Sequence, residues 1–246
     1  MRRLFTPRWI LLHTGVLSLT VLMVFLGFWQ LDRLEQKRER NAAIETNVGL
    51  AIETATQDMG TRQNEWRRVE LRGRYLTEHE IKIINRSQDG VAGDNIAVPF
   101  ETEMHGTFLV NRGFVPLTRE AAYTPDDTMS LVGYVRLTQT RGPLGAVDSG
   151  DFAVREFQRF DLPRIRASMG IEMNTQFFVQ LIKESPSPNP VFPVPVSLPD
   201  LDEGSHFSYA LQWFFFSSVA FAAWVVVIRR RLREPVSAGS PEQTSA

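Results

Sequence analysis

A chain of 246 residues, 43% hydrophobic and with a net charge of −1, has the length for one modest domain and some further segments. The near-neutral charge gives no electrostatic case for a nucleic-acid partner. With no cysteine, disulfide staples, thiolate metal sites and cysteine nucleophiles are excluded, so a folded domain must rest on an ordinary core. The mean hydropathy of −0.16 averages two strongly apolar ends with a polar middle.

Residues 1–8 form a leader with Arg2, Arg3 and Arg8, too short for an organellar transit peptide. Residues 9–29, from Trp9 to Trp29, carry no charge. At about 1.5 Å per helical residue they span roughly 30 Å, the thickness of a bilayer's hydrocarbon layer. The run exceeds a signal-peptide core and ends in Leu31-Asp32-Arg33 rather than small residues. It therefore reads as a retained transmembrane helix. Residues 30–46 contain good helix formers and no Gly or Pro, which predicts that the helix continues beyond the membrane.

Residues 47–184 read as a β-rich domain. Short runs at Arg67–Tyr75, Glu80–Asn85, Ile96–Phe100, Thr107–Asn111, Leu131–Thr138 and Gln176–Ile182 predict strands, several alternating apolar with charged residues. Gln88-Asp89-Gly90 and Asn111-Arg112-Gly113 predict turns. A short helix is expected to Met169, with Asp161 as cap, Pro163 in the first turn and Gly170 at the end. Six prolines between Ser185 and Pro199 make residues 185–205 an extended return strut, with backbone donors removed. A ligand for a proline-binding module is the less favoured alternative.

A second apolar run at residues 206–228 starts with His206-Phe207 and ends at Ile228, before Arg229, Arg230, Arg231 and Arg233 in the 229–246 tail. Those arginines place the tail in the cytoplasm. With two spans the N-terminus lies there too, and the middle domain is extracytoplasmic. The expected architecture is a membrane protein of α+β class. Two transmembrane helices form a hairpin around a mostly antiparallel β domain, a small barrel or sandwich with one short helix. A bacterial plasma membrane is favoured over the mitochondrial inner membrane.

Trp29, Arg33, Lys37 and Arg40 share one face of a continuing helix. Spacing alone favours lipid anchoring, with Trp at the interface and the cations on lipid phosphates; the alternative is a grip on an anionic ligand partly sunk in the bilayer. His206 heads the second span with Tyr209, Ala210 and Trp213 on its face. A solvated or capping histidine is favoured by position alone, with an imidazole ligand to metal or heme iron as the alternative. Asp200, Asp202 and Glu203 suggest a solvated turn before a hard-metal site. His13 lies roughly 24 Å along the helix from Trp29 and cannot share an iron with His206 in a hairpin. His79 and His105 fall among expected turns and are expected to be exposed. Arg112 reads by spacing as a surface residue at a strand-ending turn. No phosphate-binding glycine loop, nucleophile elbow or HExxH motif occurs, which argues against an enzyme.

The blocks Gly27-Phe28-Trp29-Gln30-Leu31-Asp32-Arg33 (with Lys37), Val98-Pro99-Phe100, Leu109-Val110-Asn111-Arg112-Gly113-Phe114-Val115-Pro116, Gly133-Tyr134-Val135-Arg136 and His206-Phe207-Ser208-Tyr209-Ala210-Leu211-Gln212-Trp213-Phe214 occur in this order. Together they resemble the surfeit-locus protein one family of cytochrome c oxidase assembly factors over nearly the whole chain. Gly204-Ser205 stands where that family often has two asparagines, and Phe207 where it has leucine.

The resemblance implies an assembly factor for a heme-copper oxidase of the aa3 type, binding or presenting heme A for insertion into the large oxidase subunit. Heme A synthase and membrane lipid are further implied partners. His206 is the implied iron contact, and Trp29, Gln30, Arg33, Lys37, Tyr209 and Arg112 are the implied cofactor-binding residues. Gly27, Ser218 and Ala222 are small residues that would let helices approach closely. The alternative from a different class is a cofactor-free membrane scaffold that stabilises an oxidase subunit. Scattered methionines and absent cysteines argue against copper delivery.

Overall fold

The computed structural model describes residues 6–120, 128–148, 155–186 and 192–233. The chain divides into two compact units, residues 1–41 with 201–246, and residues 42–200.

The first unit is built on two long helices, α1 (Pro7–Gly49) as far as Asn41 and α3 (His206–Arg233). Both are long and apolar enough to cross a membrane, and only 6% of each apolar window is buried. Apolar helices so little covered by the protein's own core fit a lipid environment. The expected first span and its extension are one uninterrupted helix of 43 residues. Arg230, Arg231 and Arg233 sit in the last turn of α3, where cations meet the negative end of the helix dipole.

Contacts between α1 and α3 occur at three levels and run antiparallel. At one end Trp224 donates its indole N–H to Nδ1 of His13 at 3.0 Å, and Trp9 lies 5.6 Å from the same imidazole. In the middle, Phe214 packs on Gly27 so closely that a Cβ there would stand 2.6 Å from the ring, while Phe28 meets Phe214 edge-on at 5.3 Å. The third level joins Gln30 to His206. Of the small residues singled out from sequence, Gly27 is the one at the contact. Ser218 and Ala222 are exposed, and the buried small residues of α3 are Ala210 and Ser217.

The second unit is a closed barrel with additions. Its strands are β1 (Glu53–Thr54), β2 (Arg68–Tyr75), β3 (Ile81–Gln88), β4 (Val91–Thr102), β5 (Thr107–Pro116), β6 (Met129–Leu137), β7 (Glu156–Phe157) and β8 (Phe177–Ser185). β2 pairs with β6, β6 with β8, β8 with β5, β5 with β4, and the end of β4 returns to β2. Closure leaves none of these five strands with two open edges to aggregate through. β3 pairs along the earlier part of β4, and the two-residue strands β1 and β7 add in parallel to β2 and β3. β5–β8 is also parallel, so the expected mostly antiparallel domain contains three parallel pairings among the described residues.

Alternation along the strands fills two cores. Val69, Leu71, Tyr75, Val98, Phe100, Phe108, Val110, Leu131, Val135, Phe177 and Val179 belong to one. Ala97, Leu109 and Phe178, on the opposite faces of the same strands, belong to the second, which α2 (Leu162–Met169) covers through Leu162 and Ile165. Full burial of each such side chain contributes about 1.5–3 kcal/mol. Phe160 and Phe178 stack at 3.9 Å between rings. Helix α2 is capped as its sequence predicts. Asp161 accepts from the N–H of Arg164, and Gly170 ends the helix at φ +68° while its N–H donates to the Arg166 carbonyl.

The sequence expectation fails at Asn111-Arg112-Gly113. These residues form no turn, because β5 runs through them to Pro116. Gly113 is required by a close approach: it holds φ +138°, and a Cβ would run into the carbonyl of Val194. Phe114 and Val194 exchange two backbone hydrogen bonds, at 2.7 and 2.9 Å. The side-chain amide of Gln180 donates to the Val196 carbonyl at 3.1 Å. The proline-rich segment is therefore tied to the barrel at Val194, whose N–H survives between Pro193 and Pro195, and is not a free strut there. Residues 187–191 of that segment lie outside the described residues. His79 and His105 are half-buried rather than exposed.

Candidate functional site

The candidate site lies in the first unit, where α3 begins. Gly204 adopts φ +68°, a conformation glycine reaches without steric penalty, and this turns the chain into the helix. Tyr209 then donates its N–H to the Ser205 carbonyl at 3.0 Å, opening α3. His206 occupies the first position and its Nδ1 lies 2.8 Å from Oε1 of Gln30 on α1. Nδ1–H donates to this amide oxygen, so the neutral ring carries its proton there and presents the Nε2 lone pair.

The Lys37 ammonium borders the same space as this nitrogen. A Cβ on Gly204 would lie 3.4 Å from Nζ of Lys37 and 4.0 Å from Nε2 of His206, so glycine leaves open the space between amine and imidazole. Lys37 pairs with Asp202 at 2.6 Å. Arg38 makes a two-pronged pair with Glu203, both bonds 2.8 Å. The side-chain amide of Asn41 donates to the carbonyls of Leu201 at 2.6 Å and Asp202 at 3.2 Å. The Arg38 hydrogen bond, and secondarily its charge, hold the Glu203 carboxyl below its ordinary range. The same bond raises the Arg38 guanidinium. Water-exposed pairs of this kind add little net stability, because solvent screens them.

The structure brings Gln30, Lys37 and His206 together and leaves other expected residues to one side. Arg33 lies over the Trp29 ring at 5.4 Å and donates to Gln36 at 2.9 Å, while Gln36 donates to Asp32 at 2.8 Å. Trp29 is 42% and Tyr209 50% exposed. The acidic turn at Asp202-Glu203 is an ion-paired strap on α1 rather than a merely solvated turn. No group of three or more metal-ligating side chains occurs among the described residues. Arg38 and Asn41 were missed by sequence reading. The basic cluster near Lys37 and the acidic cluster near Asp202 were visible, but nothing local registers one on the other.

Arg112 belongs to the second unit, and its surface reading is corrected. It is 1% exposed, inside the barrel wall, and its guanidinium donates to Glu184 at 2.9 Å. The Tyr75 hydroxyl donates to the other oxygen of Glu184 at 2.8 Å, and Arg112 lies over the Tyr75 ring at 5.3 Å. Burial, then the Glu184 charge, pushes the Tyr75 hydroxyl well above its ordinary pKa, against the opposing charge of Arg112. The alternation that puts Val110 inward also puts residue 112 inward, and this was the available signal.

The family model described as SURF1 family matches residues 17–218. The chain belongs to the SURF1 family. A SURF1-like protein of Mycobacterium bovis is 29% identical over 97% of this chain and 90% of its own length. One of Rickettsia bellii is 26% identical over 94% of each chain. Surfeit locus protein 1 of Takifugu rubripes is 31% identical over 48% of this chain and 58% of its own.

The five blocks that carry the SURF1 resemblance fall into two physical groups. Gly27 to Arg33 on α1 and His206 to Phe214 on α3 form the paired-helix contacts and the Gln30–His206 bond. The blocks on β4, β5 and β6 supply barrel core: Val98, Phe100, Val110 and Val135 are fully buried, and a Cβ on Gly133 would press on Val179.

Proposed function

We propose that this protein is a non-enzymatic assembly factor for an aa3-type heme-copper cytochrome c oxidase, binding or presenting heme A for insertion into the large subunit. The observation that carries the reading is the imidazole of His206, its Nδ1 engaged by Gln30, with its Nε2 and the Lys37 ammonium bordering the same space over Gly204. Heme A would supply an iron that takes an imidazole nitrogen, two propionates and an apolar tail. Nε2 of His206 suits the first and Lys37, with Arg33 nearby in sequence, the second. Trp29, Tyr209 and the open apolar flanks of α1 and α3 suit the third. Arg112, committed to Glu184 in the barrel wall, is not offered to an outside ligand. In this reading the helices span a bacterial plasma membrane as a hairpin with cytoplasmic termini, and heme A synthase and lipid are neighbours.

One observation favours a second reading, a cofactor-free scaffold: Lys37 is already paired with Asp202. Purification from a host that makes heme A separates the two. The heme reading expects a bound heme A absorption spectrum. Colourless protein that co-purifies with the oxidase subunit would establish the scaffold instead.

A further inference from the structure

We infer that Lys37 and Arg38 form a receptor for two carboxylates, and that Asp202 and Glu203 occupy it as internal stand-ins which an incoming dicarboxylate ligand displaces. The inference rests on the heme reading and specifies how the ligand's acidic edge is received.

Three features lead to it. Two adjacent cations on α1 each hold one of two adjacent carboxylates on the strap, through Lys37–Asp202 at 2.6 Å and the two-pronged Arg38–Glu203 bond. All four side chains are accessible: 32% and 62% for the first pair, 49% and 53% for the second. Exposed ion pairs exchange readily, because water and salt compete for both charges. Finally, the strap backbone has a hold of its own besides these carboxylates. Asn41 holds the backbone carbonyls of Leu201 and Asp202, so the acidic side chains can swing away while the backbone stays.

The consequence is a competition. Guanidinium and ammonium groups bind an external carboxylate in the same way as an internal one. Ligand binding therefore exchanges one pair of ion pairs for another, and two acidic side chains are released to water. Gly204 and His206 follow directly in sequence, so the receptor adjoins the imidazole nitrogen. The two internal ion pairs keep the receptor charge-neutral and lower its affinity for an incoming carboxylate, which suits a carrier that must also release its cargo.

The test uses full-length protein in dodecyl maltoside, titrated with ferric protoporphyrin IX and, separately, with its dimethyl ester, following the Soret band. The isosteric double variant Asp202→Asn/Glu203→Gln is expected to bind the free diacid about three- to tenfold more tightly than the wild type. Affinity for the ester is expected to stay the same. Asp202→Asn and Glu203→Gln alone should each give part of the gain, and they decide the matter if the double variant does not fold. Equal diacid affinity in variant and wild type, or an equal gain for the ester, overturns the receptor and leaves the heme reading standing. Absence of porphyrin binding by wild type and variants alike overturns both.

Discussion

Gln30 and His206 lie 176 positions apart in sequence, yet the amide oxygen of one accepts the Nδ1 proton of the other at 2.8 Å. The bond selects one tautomer, so in the neutral ring the lone pair is on Nε2, at the edge of the space kept open by Gly204. Outer hydrogen bonds of this type typically change metal affinity 10- to 100-fold when removed. Gln30→Leu is accordingly expected to lower heme affinity about tenfold or more while leaving His206 in place. Wild-type affinity in a Soret titration would show that the bond plays no part in ligation.

Gly27 is the close-approach point in the middle level of contact between the two long helices. Gly27→Val places a side chain where Phe214 stands, and overpacking of this kind costs about 1–3 kcal/mol. A lower thermal midpoint in detergent is expected, with partial recovery in Gly27→Val/Phe214→Ala, since neighbouring substitutions are not additive. Full additivity would mean that the helices do not meet there.

Arg112 and Glu184 form a buried ion pair, 1% and 6% exposed at the side chain. Removing one partner strands the other charge away from water. Arg112→Met should therefore destabilise the domain by about 3–5 kcal/mol, measured by denaturant unfolding. The double variant Arg112→Met/Glu184→Leu should lose less than the single one. A loss below about 1 kcal/mol for Arg112→Met would contradict the pairing.

Tyr75 supplies a pH signature for the same cluster. Its folded pKa lies above the ordinary value of 10.0, chiefly through burial and then the Glu184 charge. Below about pH 10 the hydroxyl is protonated in both folded and unfolded chains, and stability is fully present. Above it the unfolded chain releases the proton first, so stability falls as pH rises through the folded pKa. Tyr75→Phe should remove this alkaline component from a plot of unfolding free energy against pH. An identical alkaline slope in the variant would exclude Tyr75 as its source.

Much of the architecture was legible in the sequence where the signal is local. The apolar length of α1 and α3, the Asp161 and Gly170 caps of α2 and the alternation in β2 and β3 each depend on neighbouring residues. The turn expected at Asn111-Arg112-Gly113 failed because its dipeptide chemistry is outweighed by Val194, some eighty positions away, whose carbonyl fills the space over Gly113. Barrel closure through β2 and β4 was invisible for the same reason, as were Glu184 beneath Arg112 and Asp202 on Lys37. In the site, His206 and Gln30 were both singled out, yet only the structure joins them. Arg38 gave no signal beyond being one charge among several on an exposed helix.

The most direct measurement is the absorption spectrum of His206→Ala purified beside the wild type from a host making heme A. Ligation by His206 predicts a heme-bearing wild type and a folded variant with little heme, its remaining bands shifted by loss of the imidazole. Full heme content with an unchanged spectrum in His206→Ala would contradict it.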